Sequence, residues 1–428
     1  MITSRAWSGK RYAVLGLARS GAATVDALLA SGVDVVAWDS DSSRRRDDVV
    51  WQDPLALDLT GFAAVVVSPG VPLNRHPIAA HAAKFGVPII GDIELFAQAR
   101  GELPPHKVVG ITGTNGKSTT TALVHHILKT AGVPTTMGGN IGLPILAQDP
   151  LPSGGVYVLE LSSYQIDLTF TLDCDVAVLL NVTPDHLDRY ASFDAYAASK
   201  GRLFEMQFQS EHYCHAYAVP DNGVLPKVAD DWGAIPIEVQ DLDIELFGNQ
   251  GDWPALQGPH NKQNVAAARM ASFWPELVSA ADIREALRTY PGLPHRMERI
   301  RDRDGVLFVN DSKATNPDSA APALAAYPAV RWILGGQAKS PELDACVPHF
   351  GHVRSAYTIG EAGPLFADIL RPHMKVDESG TLDVAVAHAA RDAVAGDTVL
   401  LSPACASFDQ FSDFEHRGET FRQRVEAL

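Results

Sequence analysis

The sequence predicts an α/β protein of three domains: an N-terminal Rossmann-like domain, a central domain of the P-loop ATPase type, and a C-terminal Rossmann-like α/β domain. Three observations predict it. Residues 11–39 read RYAVLGLARSGAATVDALLASGVDVVAWD, a strand, a Gly-containing turn, an Ala/Leu-rich helix stopped by Gly32, and a second apolar strand. That is a βαβ unit. Residues 107–119, KVVGITGTNGKST, are a strand running into a glycine-rich loop and a helix. Beyond residue 293 a third set of apolar runs ends in polar residues. Continuous apolar runs of this kind suit parallel strands buried on both faces.

The remaining elements follow in order. AAVVVSPG (63–70) and VPII (87–90) extend the first sheet, so residues 1–92 form one small parallel domain. VYVLELSS (156–163) and VAVLLNVTPDH (176–186) continue the second sheet. HNKQNVAAARMASFW (260–274) reads as a helix, and LPHR (293–296) as a linking turn. The central domain therefore spans 93–292 and the last 293–428. In that last domain GVLFVNDSKATN, VRWILGGQAKS, RSAYTIG and DTVLLSPACASFDQF are strands with polar ends, and DVAVAHAARDA is a helix between them. Ligand sites in such sheets lie at the carboxyl ends of the strands, where Glu160, Asp185 and His186 fall.

Bulk properties narrow the class. The 428 residues are 46% hydrophobic and 20% charged, as in soluble globular chains. The net charge of −16 lacks the basic footprint that nucleic acid or an anionic membrane requires. The four cysteines have no metal-ligand spacing, which suits reduced thiols in the cytoplasm. The first residues, MITSRAWSGKRYAVLGLARSG, do not read as a secretion signal, and no apolar run reaches the ~20 residues of a membrane span.

The motifs carry the chemistry. Gly110 to Ser118 read G-I-T-G-T-N-G-K-S, a glycine-rich phosphate-cradling loop that ends in G-K-S. Amide groups around Gly113, Thr114, Asn115 and Gly116 would wrap phosphate oxygens at a helix N-terminus, with Lys117 on the β/γ-phosphates and Ser118 and Thr119 opening the helix. A chance match rarely falls between an apolar strand and a helix. No N-K-x-D motif accompanies it: NKQN at 261–264 lacks the aspartate, so a GTPase is disfavoured. Ser118, Glu160 and His186 together suit divalent cations, although a lone histidine is more often structural. In the first unit Gly16, Ala18 and Gly21 stand at the G-x-G-x-x-G positions, and Asp39 lies where an acidic residue would take a ribose hydroxyl. Plain βαβ packing is the bland alternative. A redox dinucleotide enzyme would rest on GLARSG alone and leave the P-loop idle.

GTNGKST, VLELSSYQ, NVTPDHLDRY, YAASK, HNKQN, LPHR, NDSKATN, LGGQAKS and SPACASFDQF occur in the order seen in the Mur ligases, which this chain resembles over essentially its whole length. These are the ATP-dependent amino-acid ligases of peptidoglycan synthesis. GTNGKST and the Asp-His pair are shared with folylpolyglutamate synthases, but those lack the N-terminal βαβ unit. NDSKATN and SPACASFDQF, the latter followed by Phe414 and the Arg417-Gly418 pair, resemble the D-glutamate-adding members. The resemblance implies ATP and Mg²⁺, with two metal sites, and the substrates UDP-N-acetylmuramoyl-L-alanine and D-glutamate. A monomer is expected.

The resemblance also implies residue roles. Gly16, Leu17, Ala18, Asp39, Ser68, Pro69 and Gly70 would face the uridine and its phosphates, with Asn140 and Asp185 on the same substrate. Ala18 and Ser40 stand where several relatives carry threonine. Ser162 and Gln165 would line the substrate channel. Asn261, Asn264, Arg296 and Asp311 would hold ATP. Lys313, Thr315, Lys339, Ser407 and Phe414 would form the D-glutamate pocket, where a cluster of cations and hydroxyls suits two carboxylates. Lys200 would be carbamylated and ligate the second Mg²⁺ with Ser118, Glu160 and His186. By sequence alone a lysine late in a Tyr/Ala helix is an ordinary surface charge, yet it follows His186 closely enough for the helix to return it to the same strand ends.

Overall fold

The computed structural model describes residues 1–185, 188–208, 215–219, 227–237, 248–272 and 277–428. Within it the chain separates into two compact units. One holds 1–247 and 264–286; the other holds 248–263 and 287–428.

The first unit contains two parallel sheets. The N-terminal sheet has the order β3-β2-β1-β4-β5, built from β1 (Arg11–Leu15), β2 (Asp34–Trp38), β3 (Val50–Trp51), β4 (Ala64–Val67) and β5 (Ile89–Ile90). Helices α1 (Arg19–Ala30), α2 (Ile78–Lys84) and α3 (Asp92–Ala99) connect or follow its strands. Strand β4 is AVVV with every residue buried, the pattern of a strand covered on both faces. The chain order reverses direction at β1, so the carboxyl ends of β1 and β4 form the switch point where such sheets take ligands.

The second sheet has the order β11-β10-β9-β6-β8-β7. Its strands are β6 (His106–Thr112), β7 (Thr135–Gly139), β8 (Gly155–Glu160), β9 (Val176–Leu179), β10 (His215–Ala218) and β11 (Ile235–Pro236). Helices α4 (Lys117–Thr130), α5 (Ser163–Asp167), α6 (Phe193–Phe208) and α7 (Lys227–Asp230) accompany them. β6 lies between β8 and β9, so the loops after those three strands share one edge. Buried Phe96 from α3 meets Tyr157 of β8 edge-on at 5.1 Å, joining the two sheets' cores. Helices α8 (Pro259–Ser272) and α9 (Ala280–Thr289) follow.

The second unit carries a six-stranded sheet, order β12-β13-β17-β14-β15-β16. The strands are β12 (Glu298–Arg303), β13 (Val306–Asn310), β14 (Val330–Gly335), β15 (Val353–Ile359), β16 (Lys375–Gly380) and β17 (Thr398–Leu401). Helices α10 (Pro317–Ala326), α11 (Gly363–Leu370), α12 (Leu382–Asp392) and α13 (Phe414–Glu426) belong with them. β12 runs antiparallel to β13 at the edge; the other pairings are parallel. The α/β class with three sheets expected from the sequence is what is found. The polar run ERIRDR gives little sign of its edge strand. Among the described residues no helix is long and apolar enough to cross a membrane.

Candidate active site

At the N-terminal switch point, Gly16 has φ +88°, and a Cβ there would lie 2.9 Å from the Ser68 Cβ. The close approach brings the two loops together, and the Ser68 hydroxyl donates to the Gly16 carbonyl at 2.7 Å. A Cβ on Gly21 would also strike the Gly16 carbonyl oxygen, at 1.8 Å, so glycine there lets α1 start against the strand end. Ala18 caps that helix in an extended conformation. The buried Asp39 carboxylate accepts from the amides of Leu17 (2.6 Å) and Asp41 (2.8 Å). Burial opposes its ionisation, but those amides and the Arg44 guanidinium outweigh burial and hold it below its usual range. Both carboxylate oxygens therefore shape the loop. Pro69 and Gly70 complete the turn after Ser68.

The P-loop sits between β6 and α4, as its sequence demands. Gly113 and Gly116 have φ of +149° and +85°. A Cβ on Gly116 would come within 2.4 Å of the Asn264 Oδ1, so this turn needs glycine for space as well as for φ. Asn264 is buried and also accepts from the Thr120 hydroxyl at 3.3 Å. The Asn181 side chain, not singled out by sequence, accepts from the Thr114 and Asn115 amides at 3.2 and 2.8 Å, and donates to the Asn115 carbonyl at 3.0 Å. Lys117 donates to the carbonyls of Gly113 (2.8 Å) and Thr114 (2.7 Å). Ser118 and Thr119 are buried at the start of the helix.

Lys200 reaches the same carbonyl. It is 1% exposed, donates to the Gly113 oxygen at 2.8 Å and lies 4.6 Å from the Tyr196 ring centre. Burial, aided by the Lys117 charge, pushes its pKa down to about 6. A solvated surface lysine is therefore not what the fold makes of this residue. Glu160, at the end of β8, is 2% exposed. One carboxylate oxygen accepts from Asn140 at 2.9 Å, and the other is buried with no hydrogen-bond partner among the described residues. A buried, orphaned carboxylate oxygen near a hydroxyl-bearing P-loop is a fitting donor for a hard divalent cation. Asp185 is half-buried at the end of the described strand loop. His186 lies outside the described residues.

Ser162 and Gln165 form a reciprocal capping box on α5, the Ser162 hydroxyl accepting from the Gln165 amide at 3.3 Å and Gln165 Oε1 from the Ser162 amide at 3.1 Å. Gln165 is buried; its visible work is to start the helix.

In the second unit three motif loops converge at the carboxyl edge. The Asp311 amide donates to the Leu401 carbonyl at 2.7 Å, and the buried Asp311 carboxylate accepts from the Met297 amide (3.1 Å) and the Ser402 hydroxyl (2.8 Å). Burial raises its pKa to about 7 despite those bonds. Gln337 and Ala406 exchange backbone hydrogen bonds of 2.9 and 3.0 Å, tying LGGQAKS to SPACASF. The buried Arg417 guanidinium donates to the Ser312 hydroxyl (3.0 Å) and to the carbonyls of Ser312 (2.9 Å), Cys405 (3.0 Å) and Ala406 (3.4 Å). It is the fastener of this corner, a role that the sequence motif containing it does not disclose. Lys313 lies 5.3 Å from the Phe414 ring centre. Ser407 is buried, Thr315 half-buried, and Lys339 exposed. Asn261 is buried and donates to the Gln257 carbonyl at 2.8 Å. Arg296 is half-buried at the end of the LPHR turn and, second to burial, helps push the His260 pKa down to about 4.

The chain is similar to known proteins in sequence and in fold. Residues 111–222 match the Mur ligase middle domain, and residues 295–405 the Mur ligase, glutamate ligase domain. The chain is 61% identical to a UDP-N-acetylmuramoylalanine–D-glutamate ligase of Novosphingobium aromaticivorans, covering 100% of this chain and 97% of the relative. It is 55% identical to the protein of that name from Zymomonas mobilis, over all of both chains. Among solved structures, UDP-N-acetylmuramate-alanine ligase from Thermotoga maritima matches in fold with a TM-score of 0.58 at 16% identity, covering 97% of this chain and 99% of that one. A MurF ligase from the same organism in complex with ADP matches with a TM-score of 0.56 at 16% identity, covering 98% and 96%.

Proposed function

The chain belongs to the Mur ligase family, and from that premise we propose that it joins D-glutamate to UDP-N-acetylmuramoyl-L-alanine in an ATP-dependent, ADP-forming reaction through an acyl phosphate. The observation that carries the reading is the second sheet's edge: a P-loop, a buried orphaned carboxylate and a buried lysine meet at the ends of adjacent strands.

The chemistry required is activation of a carboxylate. At neutral pH it is a poor acyl donor; transfer of the γ-phosphoryl group to it creates a good leaving group, which the amine of D-glutamate then displaces as phosphate. Little covalent work falls to the protein in the first step, so positioning and charge neutralisation dominate. Lys117 and the amides of residues 113–119 neutralise and orient the phosphates. Ser118, Glu160, His186 and a carbamate on Lys200 are the assigned holders of Mg²⁺, which supplies charge neutralisation on the phosphates. A lysine whose amine is neutral near pH 7 can take up CO₂, releasing a proton and becoming an anion suited to a cation. Asn261, Asn264, Arg296 and Asp311 are assigned to ATP. Gly16 to Ala18, Asp39, Ser68 to Gly70, Asn140, Ser162, Gln165 and Asp185 are assigned to the sugar nucleotide. Lys313, Thr315, Lys339, Ser407 and Phe414 are assigned to D-glutamate. We further assign domains 1–92, 93–292 and 293–428, a cytoplasmic setting and action as a monomer.

The test is phosphate release from ATP with UDP-N-acetylmuramoyl-L-alanine while the amino acid is varied. Release with D-glutamate and not with L-alanine or meso-diaminopimelate is expected. No release with D-glutamate would overturn the reading.

A further inference from the structure

One arginine is placed where the sugar-nucleotide loop meets the central sheet. Arg189 follows the Asp-His pair, yet its guanidinium turns to the N-terminal domain. It donates to the carbonyls of Pro69 (3.4 Å), Gly70 (3.4 Å) and Val71 (3.0 Å). Its neighbour is held as well: the Asp188 carbonyl accepts from Asn74 (3.0 Å) and Arg75 (3.2 Å). The 68–71 turn is the one whose serine donates to the Gly16 carbonyl and which leaves no room for a Cβ on Gly16. A movement of the 16–18 loop is thus felt at 68–71 through direct contact, and from there at Arg189.

The other face of Arg189 leads to the P-loop. The guanidinium lies 4.2 Å from the Tyr164 ring centre. Tyr164 stacks on Tyr190 with centroids 6.1 Å apart and planes at 16°. Tyr190 packs on Tyr196 at 5.4 Å. The Tyr196 hydroxyl is 3.1 Å from the Thr114 hydroxyl of the P-loop, which also receives the Thr183 amide at 3.0 Å. A planar guanidinium suits this double duty, fanning its donors to several carbonyls while stacking on a ring; an ammonium cannot do both.

We propose that Arg189 is a positioning residue that couples the sugar-nucleotide loop at 68–71 to the P-loop, so that binding of UDP-N-acetylmuramoyl-L-alanine and of the nucleoside triphosphate favour one another. The proposal rests on the assignment of residues 16–18 and 68–70 to the sugar nucleotide. Contiguity alone does not establish coupling; linkage does, because the factor by which one ligand changes the affinity for the other must be the same in both directions.

The experiment is calorimetric titration of UDP-N-acetylmuramoyl-L-alanine into the full chain, alone and saturated with a non-hydrolysable ATP analogue and Mg²⁺. The reciprocal titration is run alongside. In the wild type the ratio of the two dissociation constants should be about fivefold or more, the lower end of ordinary coupling factors. Arg189→Ala should bring the ratio to within about twofold of one, with nucleotide-only affinity retained, and Arg189→Lys should fall between. An arginine that only supports the fold would lower the melting temperature and leave the ratio unchanged; that result, or a wild-type ratio of one, overturns the proposal. If the alanine variant does not fold, the lysine variant decides by the same ratio. A wild type that does not bind the sugar nucleotide at all would instead overturn the functional reading and, with it, this inference.

Discussion

Lys200 and Arg417 are both 1% exposed, yet the protein treats the two cations differently. Arg417 is surrounded by oxygen: a hydroxyl and three carbonyls accept its donors, and although burial lowers its pKa to about 10, it stays charged at neutral pH. Among the described residues Lys200 has a single carbonyl, an aromatic face and the repelling charge of Lys117, and burial takes its pKa down to about 6. The comparison separates two uses of a buried base. Where the acceptors are plentiful the cation is a permanent fastener, and guanidinium geometry matches them. Where they are scarce the proton is given up, leaving a nucleophilic amine at a place assigned to chemistry.

The largest effect should come from breaking the chemical half of that contrast. Lys200→Ala should lower turnover by about 10³-fold, the scale of removing a preorganised charge at a reacting group. Acetate should restore part of the activity by returning the missing oxygens. Steady-state phosphate release with and without acetate checks this; full activity in the variant would end the assignment. The scaffolding half should respond in stability. Arg417→Ala strands buried carbonyls and should cost about 3 kcal/mol in denaturant unfolding. D-glutamate should bind more weakly in the same variant, because Ser312, Cys405 and Ala406 lose their common anchor. A variant as stable as wild type would show that the fastener is dispensable.

Lys339 sharpens the comparison from the solvent side, for it belongs to the same corner but is exposed. Lys339→Ala should leave stability within about 0.5 kcal/mol of wild type and cost about 1.5–3 kcal/mol of D-glutamate affinity. Acyl phosphate formation, followed by isotope exchange, should persist. Losing the exchange while keeping D-glutamate affinity would move this residue to the first step.

Asp92 supplies the anionic counterpart and the smallest effect. It is 3% exposed, neither side-chain oxygen has a side-chain partner among the described residues, and burial raises its pKa to about 6. Its folded pKa lies above the unfolded one, so its contribution is fully present below about pH 4 and is lost as pH rises through 6. Relative to Asp92→Asn, the wild type should lose about 1 kcal/mol between pH 5 and pH 7. Urea midpoints at the two values measure it, and a pH-independent difference would contradict a buried titrating carboxyl.

The parts legible in the sequence are those with a local signature. The P-loop announces itself because its glycines, lysine and serine are contiguous, and the apolar runs of β4, β6 and β8 show their double burial directly. The work of Asn181, Arg189 and Arg417 is not legible, for the opposite reason, although the motifs that hold them are. Each acts on backbone groups distant in sequence, and a hydrogen bond to a carbonyl leaves no trace in the identity of the residue that carries it. Gln165, which the family resemblance assigns to the substrate channel, also closes a capping box with Ser162 at the start of α5, a role not read from the sequence. His186 belongs to the legible motif but falls outside the described residues.

The placing of β17 between β13 and β14 bears on how the chain is made. During vectorial synthesis β13 and β14 emerge well before β17. Until β17 arrives, the two facing edges have no partner, and Asp311 has no Ser402 to meet. An incomplete parallel sheet of this kind exposes apolar strands and unpaired amides, the conditions that invite aggregation. A ribosome stalled before residue 398 therefore leaves a nascent chain in which this sheet lacks one of its central strands.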